Sequence, residues 1–252
     1  MSYPEPCNPR FSLIIPAYNE EAYLPYLLDT VNAARQRYAD GAEAIEVIVA
    51  DNTSTDATAR VARSRGCRVV QEHRRLIAAV RNRGARAANG QVLVFVDADT
   101  RIHPDTFNAI DRTLSTGKVI AGATGVKMER MSLGIAISFI VVVSMVWLTG
   151  MDTGVVFCRR EDFDAVGGYN EGRLFAEDVR LLLDLKQLGR LKGQKLVRIR
   201  SAKAICSTRK FDELGEWHYL RMLGRLLYGV IFSRRSVDKY ALAYWYGNQR
   251  TS

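Results

Sequence analysis

VLVFVDADT, residues Val92–Thr100, is the stretch that decides the fold. Five apolar residues in a row are too few for an ordinary helix and read as a strand buried on both faces. The run stops abruptly on Asp97-Ala98-Asp99. Successive strand residues point to opposite faces, so the two aspartates are expected on one side, close enough to share a divalent cation. A lone acidic strand end is more often a cap or a surface turn, so the reading of Asp97 and Asp99 depends on what lies beside them.

Working outward, the same grammar repeats. Upstream, Leu76–Asn89 has helical spacing and Gly90 is expected to close it. Before it come a brief strand, Arg68–Val70, and a helix, Thr55–Arg65, for which Ser54 or Thr55 would serve as cap. Ile45–Ala50 (IEVIVA) is a strand. Glu20–Tyr38 spaces Leu24, Leu27, Leu28, Val31 and Ala34 along one helical face. Phe11–Pro16 (FSLIIP) is a strand expected to stop at its proline. Alternating strand and helix predicts βαβ units and a mostly parallel sheet, an α/β fold. Ligands of such sheets bind beyond the carboxyl ends of the strands. Three polar segments should therefore meet: Pro16-Ala17-Tyr18-Asn19-Glu20, Asp51-Asn52-Thr53-Ser54, and Asp97-Ala98-Asp99.

Composition narrows the class. The chain has 252 residues, 48% hydrophobic, which is enough for a sizeable core and excludes a disordered chain. The four cysteines (Cys7, Cys67, Cys158, Cys206) are widely spaced and suit a reducing compartment. The first ten residues lack the layout of a signal peptide, and a cytoplasmic location is expected. Residues 1–153 carry 17 Lys/Arg against 16 Asp/Glu, whereas residues 154–252 carry 19 against 11, so most of the net +9 lies in the second part. Nine basic residues and no acidic one fall between Asp184 and Asp212 (Lys186, Arg190, Lys192, Lys195, Arg198, Arg200, Lys203, Arg209 and Lys210). This stretch suits a phosphate-bearing ligand or an anionic surface, or is simply solvated. Its scarcity of aromatics argues against single-stranded nucleic acid.

Missing motifs exclude other chemistries. There is no G-x-G-x-x-G, no G-x-x-x-x-G-K-[ST] and no G-x-S-x-G, and His73, His103 and His218 form no ligand pattern. Without a glycine-rich cradle, a phosphate would need a metal and basic side chains to neutralise it.

Five segments in order, SLIIPAYNEE (Ser12–Glu21), VIVADNTSTDAT (Val47–Thr58), AVRNRGARAANGQVLVFVDADT (Ala79–Thr100), VGGYNE (Val166–Glu171) and AEDVRLLLDLKQLGR (Ala176–Arg190), resemble the family 2 glycosyltransferases of GT-A fold. The resemblance spans roughly residues 11–215. It implies inverting transfer of one sugar from a nucleotide-diphosphate donor, UDP- or GDP-linked, with Mg²⁺ or Mn²⁺. By the resemblance, Pro16, Ala17 and Tyr18 line the base pocket, Glu20 lies near the ribose and Asp51 accepts from the base. Arg81 approaches the donor, Asp97 holds ribose or donor and shares the metal site, and Asp99 ligates the metal. Asp178, with Glu177 beside it, is the catalytic base, while Arg209 and Lys210 close over the diphosphate. Without the resemblance, Glu177 and Asp178 read equally as helix-start carboxylates. Asn52 stands where many relatives have a second aspartate. No Q-x-x-R-W segment is present, which favours single transfer over processive synthesis.

A catalytic domain is expected over 1–215, with a nucleotide-binding half (1–110) and an acceptor half (111–215), followed by a C-terminal extension over 216–252. Met131–Met151 is a run of 21 uncharged residues. It could span a bilayer by length, but a span would part the D-x-D from Glu177-Asp178, so a buried, interfacial or re-entrant helix is expected. Trp217–Phe232, with Arg234-Arg235 after it, suits the inner membrane face, and ordinary packing or a homodimer contact is the other reading. The acceptor is left open, a lipid-linked one among the choices. The alternatives are an inactive sugar-nucleotide or lipid-headgroup binding module and a nucleotidyltransferase, the latter lacking its glycine-rich loop here.

Overall fold

The computed structural model describes residues 8–132, 134–137, 154–172 and 177–215. Trp217–Phe232, most of Met131–Met151 and the 216–252 extension lie outside them. Among the described residues no helix is long and apolar enough to cross a membrane.

The predicted alternation is present. The strand β1 (Phe11–Ala17) leads to helix α1 (Leu24–Arg37), then β2 (Ile45–Asp51), α2 (Thr58–Ser64), β3 (Arg68–Gln71), α3 (Ile77–Ala87) and β4 (Val92–Phe95). Next come β5 (Thr100–Arg101), α4 (Thr106–Ser115), β6 (Val119–Met128), β7 (Val156–Arg159), α5 (Arg160–Ala165), α6 (Glu177–Leu191), β8 (Lys195–Cys206) and α7 (Arg209–Leu214). Among the described residues one sheet holds eight strands in the order β3-β2-β1-β4-β7-β6-β8-β5. The first four pair in parallel. β7 then runs antiparallel between β4 and β6, and β8 runs parallel to β6 and antiparallel to β5. The sheet is therefore mixed, and residues of both expected halves share it.

Alternation sends Phe11, Leu13, Ile15, Val92 and Val94 into one apolar layer with α1 and α4. Ile14, Ile48, Leu93 and Phe95 enter the other with α3 and α6. All seven residues of β1 are buried, as a central parallel strand requires.

Four details differ from the sequence reading. β1 continues through Pro16 to Ala17, because β1 pairs with β4 only as far as Ile14, so the missing proline N–H breaks no ladder on that side. α1 begins at Leu24 rather than Glu20, since Pro25 in its first turn has no N–H to give the Glu21 carbonyl; the Glu20 and Glu21 N–H groups donate to Thr58 Oγ1 (2.7 Å) and Asp56 (3.1 Å). Ser54 and Thr55 do not cap α2; they tie to Asn19 across the crevice, and Asp56 accepts the Thr58 N–H at 2.9 Å. Gly90 does not close α3. It is needed because a Cβ there would lie 2.5 Å from the Ser12 nitrogen of β1.

Candidate active site

The carboxyl ends of β1, β2 and β4 meet as the topology requires. β4 itself ends at Phe95, so Asp97 and Asp99 lie in a turn closed by the Thr100 N–H on the Asp97 carbonyl (3.0 Å), not on one face of a strand as alternation predicts. The turn sends the two aspartates to different partners.

Arg81 is the centre of one group. It lies on the buried face of α3, with a side chain only 6% exposed. Its Nη2 donates to Asp97 Oδ1 (2.8 Å), and its Nη1 lies 2.8 Å from both Glu177 Oε1 and Asp178 Oδ1. Burial works against its charge, yet Asp178, Asp97 and Glu177 together hold it well above the usual arginine range. Burial is also the largest influence on the two α6 carboxyls. It raises both above their ordinary values, against the pull of Arg81. The buried Nε of Arg81 has no hydrogen-bond partner among the described residues.

Tyr169 completes this group. Its hydroxyl donates to Asp178 Oδ1 (2.9 Å), and Arg81 lies 5.3 Å from its ring centre. Asn82, next to Arg81 on α3, fixes Tyr169 by donating to its carbonyl and accepting its N–H, each at 2.9 Å. Phe95 and Phe163 hold the ring edge-on at 5.0 and 5.9 Å. Tyr169 falls inside VGGYNE, but nothing in that segment alone marks the hydroxyl as a partner of Asp178.

A second group forms around Glu20. Arg209, the first residue of α7, donates to both Glu20 oxygens (3.0 and 2.9 Å), lies 3.5 Å from Asp99 Oδ2, and sits 4.4 Å from the ring centre of Tyr23. Burial raises the Glu20 carboxyl above its ordinary value, opposed by Arg209. Of the nine basic residues between Asp184 and Asp212, Arg209 makes these contacts, whereas Lys192, for example, pairs with Asp162 at 2.6 Å. The Lys210 side chain lies outside the described residues.

The third corner holds Tyr18 and Asp51. Tyr18 is half-buried with the Arg75 guanidinium 4.6 Å over its ring. Asp51 is buried and accepts long hydrogen bonds from the Ser54 N–H (3.3 and 3.4 Å). Pro16 and Ala17 are buried at the end of β1. Asn52 donates to the carbonyls of Glu72 (2.7 Å) and Arg74 (2.9 Å), pinning the loop that carries Arg75. An aspartate has no proton to give two carbonyls at neutral pH, which accounts for the amide here. Thr53, at φ 58°, is in the left-handed region that a β-branched residue rarely adopts.

Among the described residues no three His, Cys, Asp or Glu side chains stand close enough to cage a metal. Asp97 and Asp99 are hard oxygen donors of the kind Mg²⁺ and Mn²⁺ take, and these ions commonly keep open positions for phosphate and water. The chemistry of Asp97 and Asp99 fits that donor set.

A mixed α/β sheet with an acidic crevice at its carboxyl edge is a GT-A-type architecture. Residues 12–138, half of the chain, match the family described as Glycosyl transferase family 2, and the chain belongs to that family. It is 38% identical over 108 residues to the validoxylamine A glucosyltransferase of Streptomyces hygroscopicus subsp. limoneus, covering 40% of this chain and 23% of that one. It is 37% identical over 100 residues to the dolichyl-phosphate beta-glucosyltransferase of Drosophila melanogaster, covering 36% and 31%. The chain thus spans less than a third of the length of these curated relatives.

Solved structures share the fold. The mannosyltransferase of Pyrobaculum calidifontis, in complex with GDP-Man and Mn²⁺, superposes with a TM-score of 0.63 at 21% identity over 79% of this chain and 56% of that one. The glucosyl-3-phosphoglycerate synthase of Mycobacterium tuberculosis, in complex with Mn²⁺, UDP and phosphoglyceric acid, gives 0.59 at 23% identity over 83% and 75%.

Proposed function

We propose that this chain transfers one sugar, with inversion, from a UDP- or GDP-linked donor to an acceptor hydroxyl or phosphate, with Asp178 as the general base. The observation that carries this reading is the buried guanidinium of Arg81, which joins the D-x-D turn to the start of α6. In this reading Arg81 keeps a donor-side carboxylate, Asp97, and the acceptor-side Glu177 and Asp178 around one space. In this reading the nucleotide lies along the ends of β1 and β2, with Pro16, Ala17, Tyr18 and Asp51 at the base and Glu20 at the ribose. Asp97 stands at the ribose or donor, and Arg209 and Lys210 at the diphosphate. A Mg²⁺ or Mn²⁺ ion on Asp99, with Asp97 beside it, would supply positive charge to the leaving diphosphate.

In the displacement the acceptor oxygen forms its bond to the sugar's anomeric carbon as the bond from that carbon to the diphosphate breaks, and the acceptor proton passes to Asp178. No covalent sugar–enzyme intermediate is needed. Among the described residues the contacts of Asp178 from Arg81 and Tyr169 both fall on Oδ1, which leaves Oδ2 for that proton. Burial raises this carboxyl, moving its proton affinity toward the range useful in a base. The apolar segments Met131–Met151 and Trp217–Phe232, and the dolichyl-phosphate relatives, favour a lipid-linked acceptor at a membrane face.

The test is Asp178→Asn in the full chain. Donor binding with Mn²⁺ should persist while turnover falls by about 10²–10⁴-fold, the usual worth of a general base. Turnover within a few-fold of wild type would remove Asp178 from the role. Tight nucleotide binding with no transfer or donor hydrolysis in the wild type would favour a binding module instead.

A further inference from the structure

Arg209 is turned toward two carboxylates, Glu20 and Asp99. Its guanidinium fork grips both oxygens of Glu20 (3.0 and 2.9 Å), approaches Asp99 Oδ2 to 3.5 Å and rests 4.4 Å from the Tyr23 ring centre. The three groups come from separate elements: Glu20 and Tyr23 from the link before α1, Asp99 from the turn after β4, and Arg209 from the start of α7. A guanidinium does not lose its proton at any working pH, so this is a permanent cation placed against the carboxylate proposed to carry the metal. A metal on Asp99 and the guanidinium beside it would repel each other, so filling the metal position favours the retreat of Arg209.

We propose that Arg209 is an exchange residue: it neutralises Glu20 and Asp99 in the donor-free protein and transfers its fork to the donor's diphosphate when the metal takes Asp99. The proposal rests on the nucleotide-sugar reading above. The chemistry is matched at both ends, because the same planar fork pairs bidentately with a carboxylate or with phosphate oxygens. Arg209 follows β8 after only Ser207 and Thr208, and its own N–H donates to Ser207 Oγ (3.1 Å), so its backbone is anchored beside the crevice while the side chain swings.

The consequence is a pair of effects with opposite signs. A residue that only binds diphosphate would, on removal, weaken nucleotide binding and leave the metal alone. A residue that only supports α7 would weaken both. An exchange residue weakens the nucleotide and tightens the bare metal.

The experiment titrates the donor-free full chain with Mn²⁺ alone, by calorimetry or by loss of the free-ion EPR signal, for wild type, Arg209→Ala and Tyr23→Ala. The same proteins are then titrated with UDP and GDP at saturating Mn²⁺. Arg209→Ala is expected to bind Mn²⁺ at least about tenfold more tightly, the effect of removing a like charge this close. It should bind the nucleoside diphosphate about tenfold more weakly, the worth of a charge-assisted hydrogen bond. Tyr23→Ala, which loosens Arg209 without deleting it, should move Mn²⁺ affinity in the same direction by a smaller factor, and it carries the test if Arg209→Ala does not fold. Unchanged or weaker Mn²⁺ binding in the variants, with Mn²⁺-dependent nucleotide binding by the wild type, overturns the exchange and leaves the transferase reading standing. No Mn²⁺-dependent binding of either nucleotide by the wild type overturns both.

Discussion

Replacing Arg81 by methionine should destabilise the protein by an amount that grows with pH. Methionine restores much of the packed volume, so the loss is mainly electrostatic. Asp97 is more than half exposed and contributes at most the ~1 kcal/mol of a surface pair. Glu177 and Asp178, at 14% and 18% exposure, dominate, and stripping the partner from a buried pair costs about 3–5 kcal/mol. In the wild type both carboxyls already lie above their ordinary values of 4.5 and 3.8. A carboxyl raised on folding favours the folded state below its unfolded value, and that contribution is lost as pH climbs through the folded value. Removing Arg81 takes away the influence that lowers both, so they rise further and the loss extends to higher pH. Carboxyls elsewhere, such as Glu72 and Asp105, are the same in both proteins and cancel in the difference. Urea denaturation of wild type and Arg81→Met at about pH 5 and about pH 8 should show a stability gap wider by more than ~1 kcal/mol at the higher pH, since a tenfold change in a carboxyl's proton affinity is worth about 1.4 kcal/mol. An equal gap at both values would refute the electrostatic account of Arg81.

Other perturbations test neighbouring parts. Tyr169→Phe removes a hydrogen bond that lowers the Asp178 carboxyl, so the acidic limb of the pH–rate profile should move to higher pH while stability falls by about 1 kcal/mol; a limb that stays put would separate Tyr169 from the base. Gly90→Ala forces a Cβ to 2.5 Å from the β1 backbone at Ser12 and should cost at least about 1–3 kcal/mol in denaturant titration, with a wild-type midpoint contradicting the close approach.

The parallel half of the fold is written in its residues because local chemistry settles it. FSLIIPA, IEVIVAD and VLVF are buried almost throughout, and short, mainly apolar runs ending in polar turns have few other readings. The mixed half is less legible. In β8 basic residues recur at Lys195, Arg198, Arg200 and Lys203 because much of that strand is exposed, so the sequence reads as a charged stretch before it reads as a strand. The carboxylates Asp97, Asp99, Glu177 and Asp178 stand out by type and position. The pairing of Asp97, Glu177 and Asp178 does not, because it depends on an arginine buried on a helix face, where periodicity predicts an apolar residue. Tyr169, Tyr23 and Arg75 are unreadable for a related reason: each acts through a contact between distant segments. Asn52 is visible as a departure, and its reason appears only with the carbonyls of Glu72 and Arg74 in place.

The most direct measurement is a thermal-shift panel of UDP, GDP, CDP and dTDP on the full chain, each with and without Mn²⁺. A ligand at about 100 times its dissociation constant adds roughly 2.7 kcal/mol, which a melting curve resolves. UDP or GDP is expected to raise the melting temperature only when Mn²⁺ is present, and Asp99→Ala is expected to lose this shift. Stabilisation by none of the four, or an equal shift without metal, would contradict it.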